Sequence, residues 1–141
     1  MNPVRVLALD YGSARCGCAL SDATGTVATP IDTVERPGTR RGLQRLRALV
    51  RERDVGRVVV GLPLSLSGDD SDQTREARDF AERLAALLGA GVPVELYDER
   101  LTTSLARRTG GRASEDSRAA AHLLEGWLAR AGGAGGPEEA S

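Results

Sequence analysis

Residues 4–34 read VRVLALDYGSARCGCALSDATGTVATPIDTV and contain three extended segments. Residues 4–9 form a mostly apolar run rich in branched side chains, and the turn-forming sequence Asp10-Tyr11-Gly12-Ser13 follows it, as is typical of a buried strand. Residues 16–21 and 26–34 are two further strand candidates, and the turn-forming residues 22–25 separate them. This stretch therefore predicts a three-stranded antiparallel meander.

The rest of the chain alternates helical and extended patterns. Apolar residues recur at spacings of three and four in residues 39–53 and 74–88, which predicts two amphipathic helices. Residues 58–63 and 92–97 are the fourth and fifth strand candidates, residues 102–108 a short helix, and residues 114–130, with Ser114 as the cap, the last helix. A meander followed by two helix-to-strand crossovers predicts an α/β fold, with a five-stranded mixed sheet and helices on both faces.

Length and composition are those of one globular domain. The chain has 141 residues, of which 40% are hydrophobic and 28% are charged, so a packed core needs neither disulfides nor a structural metal. We expect a single domain over residues 1–131. Residues 132–141 (GGAGGPEEAS) contain no apolar anchor, and we expect them to form a disordered tail.

Charge and cysteine usage exclude several classes of protein. Nineteen basic residues, all arginine, oppose twenty acidic ones, so affinity for a polyanion must come from local clustering of charge. Cys16 and Cys18 exclude a disulfide framework, and with one distant histidine, His122, they make a poor zinc site. The sequence shows neither a secretory leader nor an apolar stretch near the roughly 20 residues that span a membrane, so we expect a cytoplasmic protein without membrane contact.

Acidic residues fall where the predicted topology brings chain segments together. Asp10 follows the first strand and the pair Asp98-Glu99 follows the fifth, and these parallel strands end at the same edge of the sheet. Asp116 lies in the first turn of the last helix, four residues before Ala120 on its apolar stripe. We therefore expect a shared acidic pocket.

Converging carboxylates point to a hard divalent cation. Without a neighbouring lysine or histidine they repel one another, and Mg²⁺ or Mn²⁺ relieves that repulsion through oxygen coordination. The chemistry that follows is phosphodiester hydrolysis, in which two metals about 4 Å apart activate a water and stabilise the leaving oxygen.

Each acid also has a purely structural interpretation. Asp10 suits a turn at the end of a strand, and Asp116 suits the positive end of a helix dipole. The acidic pair after the fifth strand can form surface ion pairs with Arg100 or Arg107.

Several sequence blocks resemble the YqgF/RuvX family of pre-16S rRNA nucleases, relatives of Holliday junction resolvases in the ribonuclease H-like superfamily. The DERLTT block is the most specific of them. The matching blocks cover most of the chain: ALDYG at 8–12 with Arg15 and Gly17, LSD at 20–22, VVGLP at 59–63 with Gly68, AR at 77–78 with FA at 80–81, YDERLTT at 97–103, DS at 116–117, AA at 119–120, LL at 123–124 and GWL at 126–128.

The resemblance implies a ribonuclease H-like fold and a cytoplasmic, Mg²⁺-dependent nuclease that matures the 5′ end of 16S ribosomal RNA. It places the acidic triad on Asp10, Glu99 and Asp116. Related resolvases carry an acid near the end of the fourth strand, where this chain has residues 61–63 (GLP), so the second carboxylate is expected from the fifth strand. Because neighbouring strand residues alternate, only one of Asp98 and Glu99 can face Asp10; the resemblance favours Glu99, and Asp98 stays open.

The expected partner is nucleic acid, either structured RNA or branched DNA. Many relatives carry a longer, lysine-rich loop before Asp116, where this chain has arginines instead. With four aromatic residues in the chain, base stacking contributes little, so we expect recognition of backbone shape with low sequence selectivity. We interpret Arg40 and Arg41 as surface charges rather than as phosphate ligands. The polar loop at residues 65–72 is expected to fold over bound nucleic acid. The candidate phosphate ligands are Arg15, Arg100, Arg107, Arg108 and Arg112.

Three other functions are compatible with parts of the pattern. A Holliday junction resolvase needs two active sites related by a dyad, so the protein is expected as a monomer or a homodimer. A non-cleaving nucleic-acid-binding module is a second alternative, although no acid of the triad is missing. A phosphotransferase of the actin and sugar-kinase type is a third, because residues 10–13 resemble a phosphate-binding turn, but 141 residues do not supply a second lobe.

Overall fold

Five strands and three helices make up the part of the chain that the computed structural model describes, namely residues 5–62, 71–98 and 115–140, with side chains in the last range described for 117–130. The elements, in chain order, are β1 (Arg5–Asp10), β2 (Arg15–Ser21), β3 (Ala28–Glu35), α1 (Arg40–Glu52), β4 (Val55–Leu62), α2 (Asp72–Leu88), β5 (Val94–Asp98) and α3 (Glu115–Ala140).

The strands form one mixed sheet in the order β3-β2-β1-β4-β5. β1, β2 and β3 pair antiparallel, as predicted for the meander. β4 pairs parallel to β1, and β5 pairs parallel to β4, so the two crossovers return the chain to the same direction. The predicted α/β class and five-stranded mixed sheet are confirmed, and the carboxyl ends of β1, β4 and β5 share one edge of the sheet.

Alternation along the strands divides the core into two clusters, one on each face of the sheet. On the first face α1 and α2 pack on the sheet, and on the second face α3 packs on it. The first cluster includes Leu7, Leu9, Val58 and Val60 of the sheet with Leu46, Phe80 and Leu84 of the helices. The second includes Val6, Ala8, Val59 and Tyr97 with Ala120, Leu123 and Leu124.

Side-chain caps fix where the first two helices begin. The Thr39 hydroxyl accepts a hydrogen bond from the Gly42 N–H at 3.1 Å, and the Ser71 hydroxyl accepts one from the Thr74 N–H at 3.2 Å. Gly89, with φ of 85°, ends α2 as its sequence predicts, because glycine adopts this backbone conformation without steric cost.

The last helix is longer than its sequence predicts. α3 extends to Ala140, whereas the predicted helix ends near Arg130. Extending a formed helix by one residue costs far less than nucleating one, which allows helical backbone to continue into a glycine-rich stretch. The disordered tail over residues 132–141 stays a prediction.

Two predicted segments lie outside the described residues: the short helix at 102–108 and most of the polar loop at 65–72. Within the described ranges, none of the helices combines the length and the apolar character needed to cross a bilayer.

Candidate functional site

Asp10 is the last residue of β1 and stands at the shared carboxyl edge. It alternates with Val6 and Ala8, which pack against α3, so its partly buried side chain lies on the α3 face of the sheet. Leu9 pairs with Val60 in β4, and the next β4 residue is Gly61, which puts no side chain on the sheet. The surface beside the Asp10 carboxylate is therefore not filled from β4.

Asp98, at the end of β5, lies on the opposite face of the sheet. It alternates with Val94, which packs against the core beneath α1 and α2. Glu95 and Tyr97 take the α3 face: the Trp127 indole N–H donates to Glu95 at 2.8 Å, and Tyr97 is buried against α3. The Asp98 side chain consequently leaves the sheet away from the β1 carboxylate.

The first turn of α3 is fixed to the sheet by Ser117, which is fully buried. Its hydroxyl accepts a hydrogen bond from the Cys18 N–H at 3.3 Å and donates one to the Ile31 carbonyl at 2.6 Å. Cys18 and Ile31 are register partners in β2 and β3, and the pairing of these strands shifts next to them. Gly17, which precedes Cys18, pairs with Asp10, so the start of α3 lies close to the candidate carboxylate.

The sequence did not single out Ser117. A serine next to an acid at the start of a helix was the available signal, but its partners lie 99 and 86 residues away in the chain. Only the fold brings them together.

The structure describes one complete member of the predicted triad. Glu99 lies outside the described residues, and Asp116 belongs to the first turn of α3 without a described side chain. Among the residues whose side chains are described, no group of three His, Cys, Asp or Glu residues is placed to hold a metal. Convergence of Asp10, Glu99 and Asp116 stays a prediction.

The described residues around Asp10 at the carboxyl edge suit a hard cation. The partly buried Asp10 carboxylate provides oxygen coordination, and the adjacent Gly61 position of β4 places no side chain beside it. The donor chemistry of Asp10 fits Mg²⁺ or Mn²⁺.

The two cysteines are packing residues. Cys16 and Cys18 form no disulfide, and both are fully buried in the cluster beneath α1 and α2. They lie on one face of the sheet, as residues two apart in a strand do.

Comparison with known proteins gives the family. The RuvX family pattern, described as Holliday junction resolvase, matches residues 4–130. This chain belongs to the RuvX family. Two curated relatives, each named "Putative pre-16S rRNA nuclease", are 44% identical over 134 residues in Anaeromyxobacter sp. (strain Fw109-5) and 42% identical over 134 residues in Gluconobacter oxydans (strain 621H). The alignments cover 89% and 88% of this chain and 96% and 82% of the relatives.

A solved structure agrees with the fold. Thermus thermophilus RuvC in complex with a Holliday junction substrate superposes with a TM-score of 0.58 at 17% identity, covering 92% of this chain and 96% of that one. The predicted ribonuclease H-like fold is therefore confirmed. Family membership makes the protein a nuclease, a hydrolase that acts on phosphodiester bonds.

The Asp10-Tyr11-Gly12-Ser13 turn of this RuvX-family chain has a structural explanation. A Cβ on Gly12 would lie 2.7 Å from the Arg15 carbonyl oxygen, so the tight turn between β1 and β2 requires glycine. Tyr11 stacks on Phe80 with ring centroids 4.7 Å apart. Burial, reinforced by the nearby Glu76 carboxylate, raises the pKa of the Tyr11 phenol.

Of the predicted phosphate ligands, the structure describes Arg15. It begins β2 at the carboxyl edge with 53% of its side chain exposed, and its Nε lies 3.9 Å from a Glu35 carboxylate oxygen. A pair this exposed contributes little to stability. Outside the described residues lie Arg100, Arg107, Arg108 and Arg112.

Proposed function

We propose that this RuvX-family nuclease is a metal-dependent endonuclease that processes the 5′ end of pre-16S ribosomal RNA in the cytoplasm. The observation that carries the proposal is 44% identity, over 89% of the chain, to a relative that bears the pre-16S rRNA nuclease name. The position of Asp10 at the shared carboxyl edge supports it, since open α/β sheets bind ligands at this edge.

Asp10, Glu99 and Asp116 are the proposed metal ligands and catalytic residues. The alternation along β5 supports the choice of Glu99 over Asp98. Asp98 lies on the face opposite to Asp10, and a strand continued by one residue turns its next side chain to the other face. The Ser117 hydrogen bonds support the choice of Asp116, because they hold the adjacent helical turn near Asp10.

The proposed ligands, and the elements that carry them, then have defined roles in hydrolysis. A divalent cation held by these carboxylates supplies Lewis-acid activation of the scissile phosphate and of water. Asp10 lies at the end of a sheet strand and Asp116 in the first turn of α3, and these elements would hold the two ligands in place when substrate binds. No covalent nucleophile of the protein is required.

Arginines are proposed to bind the phosphate backbone. Arg15 stands at the edge beside the site, and four arginines from residues 100–112 complete the proposed set: Arg100, Arg107, Arg108 and Arg112. Guanidinium groups bind phosphates in a bidentate manner, and contacts of this kind position a nucleic acid without reading its sequence.

The description of the matching family supports a second candidate, resolution of branched DNA. Such an enzyme cuts two strands symmetrically and requires a homodimer, whereas cleavage at one RNA site is open to a monomer. Substrate preference and oligomeric state together separate the two candidates.

A parallel cleavage assay tests both. Wild-type protein and Asp10→Asn are incubated with a precursor 16S fragment and with a four-way DNA junction, each in Mg²⁺, Mn²⁺ or chelator. We expect wild-type cleavage of the RNA in either metal, none in chelator, and none by the variant. Cleavage of the junction alone would select the resolvase, and RNA cleavage that persists in chelator would overturn the metal-dependent mechanism.

A further inference from the structure

Helix α1 concentrates positive charge in a nearly neutral protein. Its thirteen residues, RRGLQRLRALVRE, contain five arginines and one glutamate, a formal charge of +4, while the whole chain carries −1. The neighbouring α2 has a near-balanced set of charges, so the charge excess belongs to α1 and not to this face of the sheet in general. Local clustering of this kind is what a nearly neutral protein needs to attract a polyanion.

Three of the five arginines of α1 lie along one line of its surface, outside its buried side. The buried side of the helix is Gly42, Leu43, Leu46, Leu49 and Val50. Arg40, Gln44, Arg47 and Arg51 follow one another at spacings of four, three and four, which aligns them along one line of the helix surface. We call these four residues the α1 stripe. Part of it lines an open groove of about 280 Å³ together with Ala48 and Glu52.

Among the described residues, carboxylates form no ion pair with the arginines of α1. On α2, by contrast, Arg75 pairs with Asp72, and Arg83 lies 3.8 Å from Asp79. Four of the five arginines of α1 are exposed and Arg47 is partly buried, so their guanidinium groups are available to a phosphate.

The stripe begins at the carboxyl edge that carries Asp10, on the face of the sheet opposite to the Asp10 side chain, so bound RNA would cross this edge to reach the site. β3 is antiparallel to β2, which is antiparallel to β1, so β3 ends at the same edge as β1. The helix starts at Arg40, five residues after β3, and runs back along the sheet. At 1.5 Å per residue, its thirteen residues provide a positively charged track about 20 Å long.

We propose that the α1 stripe binds the phosphate backbone of structured RNA and guides it to the carboxyl edge. This inference rests on the proposed function, since it extends the substrate path of the same site. Arginine binds phosphate in two-point contacts, and the chain offers few aromatic residues for stacking, so the track recognises backbone rather than bases. Arg40 is hence a phosphate ligand and not only a surface charge.

The test compares two double variants with the same change in net charge. Arg47→Gln/Arg51→Gln removes two arginines of the stripe, and Arg75→Gln/Arg83→Gln removes two ion-paired arginines of α2. Glutamine keeps a high helix propensity and removes the charge. Binding of a fluorescent RNA hairpin with a single-stranded flank is measured in chelator, which separates binding from cleavage, between 50 and 200 mM salt; a four-way DNA junction is the second ligand.

We expect the α1 variant to bind RNA at least about tenfold more weakly than the wild type near 100 mM salt. The slope of its log affinity plotted against log salt concentration should be shallower by about one to two. The α2 variant should bind like the wild type. Equal binding by both variants, equal weakening of both, or no wild-type binding would overturn the proposal. A loss confined to the DNA junction would overturn the assignment to RNA.

Failure of the proposed function gives a different result. If wild-type protein binds the RNA through the stripe yet cleaves nothing in Mg²⁺ or Mn²⁺, the nuclease mechanism fails while the binding surface stands. If the wild-type protein cleaves the RNA and the stripe variant binds it normally, the nuclease mechanism stands while the proposed binding surface fails.

Discussion

The Ser117 hydroxyl accepts a hydrogen bond from the backbone N–H of Cys18 at 3.3 Å, across 99 residues of sequence. It also donates to the Ile31 carbonyl at 2.6 Å and so bridges two register partners of β2 and β3. A buried backbone group in a sheet needs a partner, and here a helix supplies it. The start of α3 and the irregular strand pair are thereby fixed to each other, one residue from the partner of Asp10.

We predict that Ser117→Ala lowers both stability and activity. Loss of the hydroxyl leaves a buried N–H and a buried carbonyl without this partner, which costs about 1–3 kcal/mol. The first turn of α3 also loses its attachment beside Asp10, so the Mg²⁺ concentration for half-maximal cleavage should rise severalfold. Urea unfolding and Mg²⁺ titration of the cleavage rate measure the two effects.

Ser21→Ala is the matched control for this change. The Ser21 hydroxyl is equally buried and accepts the Val6 N–H at 2.8 Å, near the amino end of β1. It should cost similar stability and leave the Mg²⁺ requirement unchanged. The same Mg²⁺ dependence for both variants would show that Ser117 acts on stability alone.

Removal of the carboxylate charge at Asp10 should abolish cleavage, whereas the same change at Asp98 should not. A metal ligand contributes several kcal/mol to stabilising the transition state, so Asp10→Asn is expected to lower kcat by about a thousandfold. Asp98 lies on the opposite face of the sheet, and Asp98→Asn should keep activity within about threefold of the wild type. Single-turnover cleavage with circular dichroism of both variants makes the comparison. A larger loss for Asp98→Asn would reassign the second ligand.

The sheet could be predicted because its signals are local. Apolar runs, the turn residues at 22–25 and the right-handed crossover rule determine strand order and direction. β4 begins at Val55 rather than at the predicted residue 58, because Arg57 interrupts the apolar pattern. The structure explains this residue: Arg57 is half-exposed and pairs with Glu95 on the neighbouring strand at 2.7 Å.

The candidate site was predictable only in part. Asp10 could be placed at the carboxyl edge because a strand end is visible in the sequence. The role of Ser117 depends on a register shift between β2 and β3, which has no local sequence signature. The spacing of the α1 stripe residues can be read from the sequence. The lack of carboxylate partners among the described residues is a property of the fold.

Asp22 should make stability depend on pH at the acidic end. Hydrogen bonds from the Thr24 hydroxyl and from the backbone N–H groups of Val27 and Thr26 hold the pKa of its carboxyl well below the ordinary range. A depressed folded-state pKa stabilises the protein above the unfolded pKa, near 4, and that contribution is lost as the pH falls below it. Asp22→Asn should therefore be less stable than the wild type at pH 6, and the difference should shrink below pH 4.

Urea unfolding of both proteins between pH 6 and pH 2.5 tests this expectation. Asp32→Asn removes an exposed carboxylate from β3 and controls for the change in net charge. A stability difference for Asp22→Asn that stays constant over the whole range would contradict the assigned cause.

Gly42→Ala should destabilise the protein although alanine favours helices. A Cβ at this position would lie 2.2 Å from the Arg36 carbonyl oxygen and 2.7 Å from the Pro37 Cα, both backbone atoms. The Arg36 carbonyl cannot move away freely, because it accepts hydrogen bonds from the Thr39 N–H and hydroxyl at 3.1 and 2.8 Å. Overpacking of this kind costs about 3 kcal/mol, and the higher helix propensity of alanine contributes about 1 kcal/mol, so we expect the free energy of unfolding to fall by about 2 kcal/mol.

Gly91→Ala, with no atom within 4 Å of its Cβ, should stay within about 0.5 kcal/mol of the wild type. Thermal unfolding compares the two variants, and equal Tm values would show that the turn before α1 adjusts without cost.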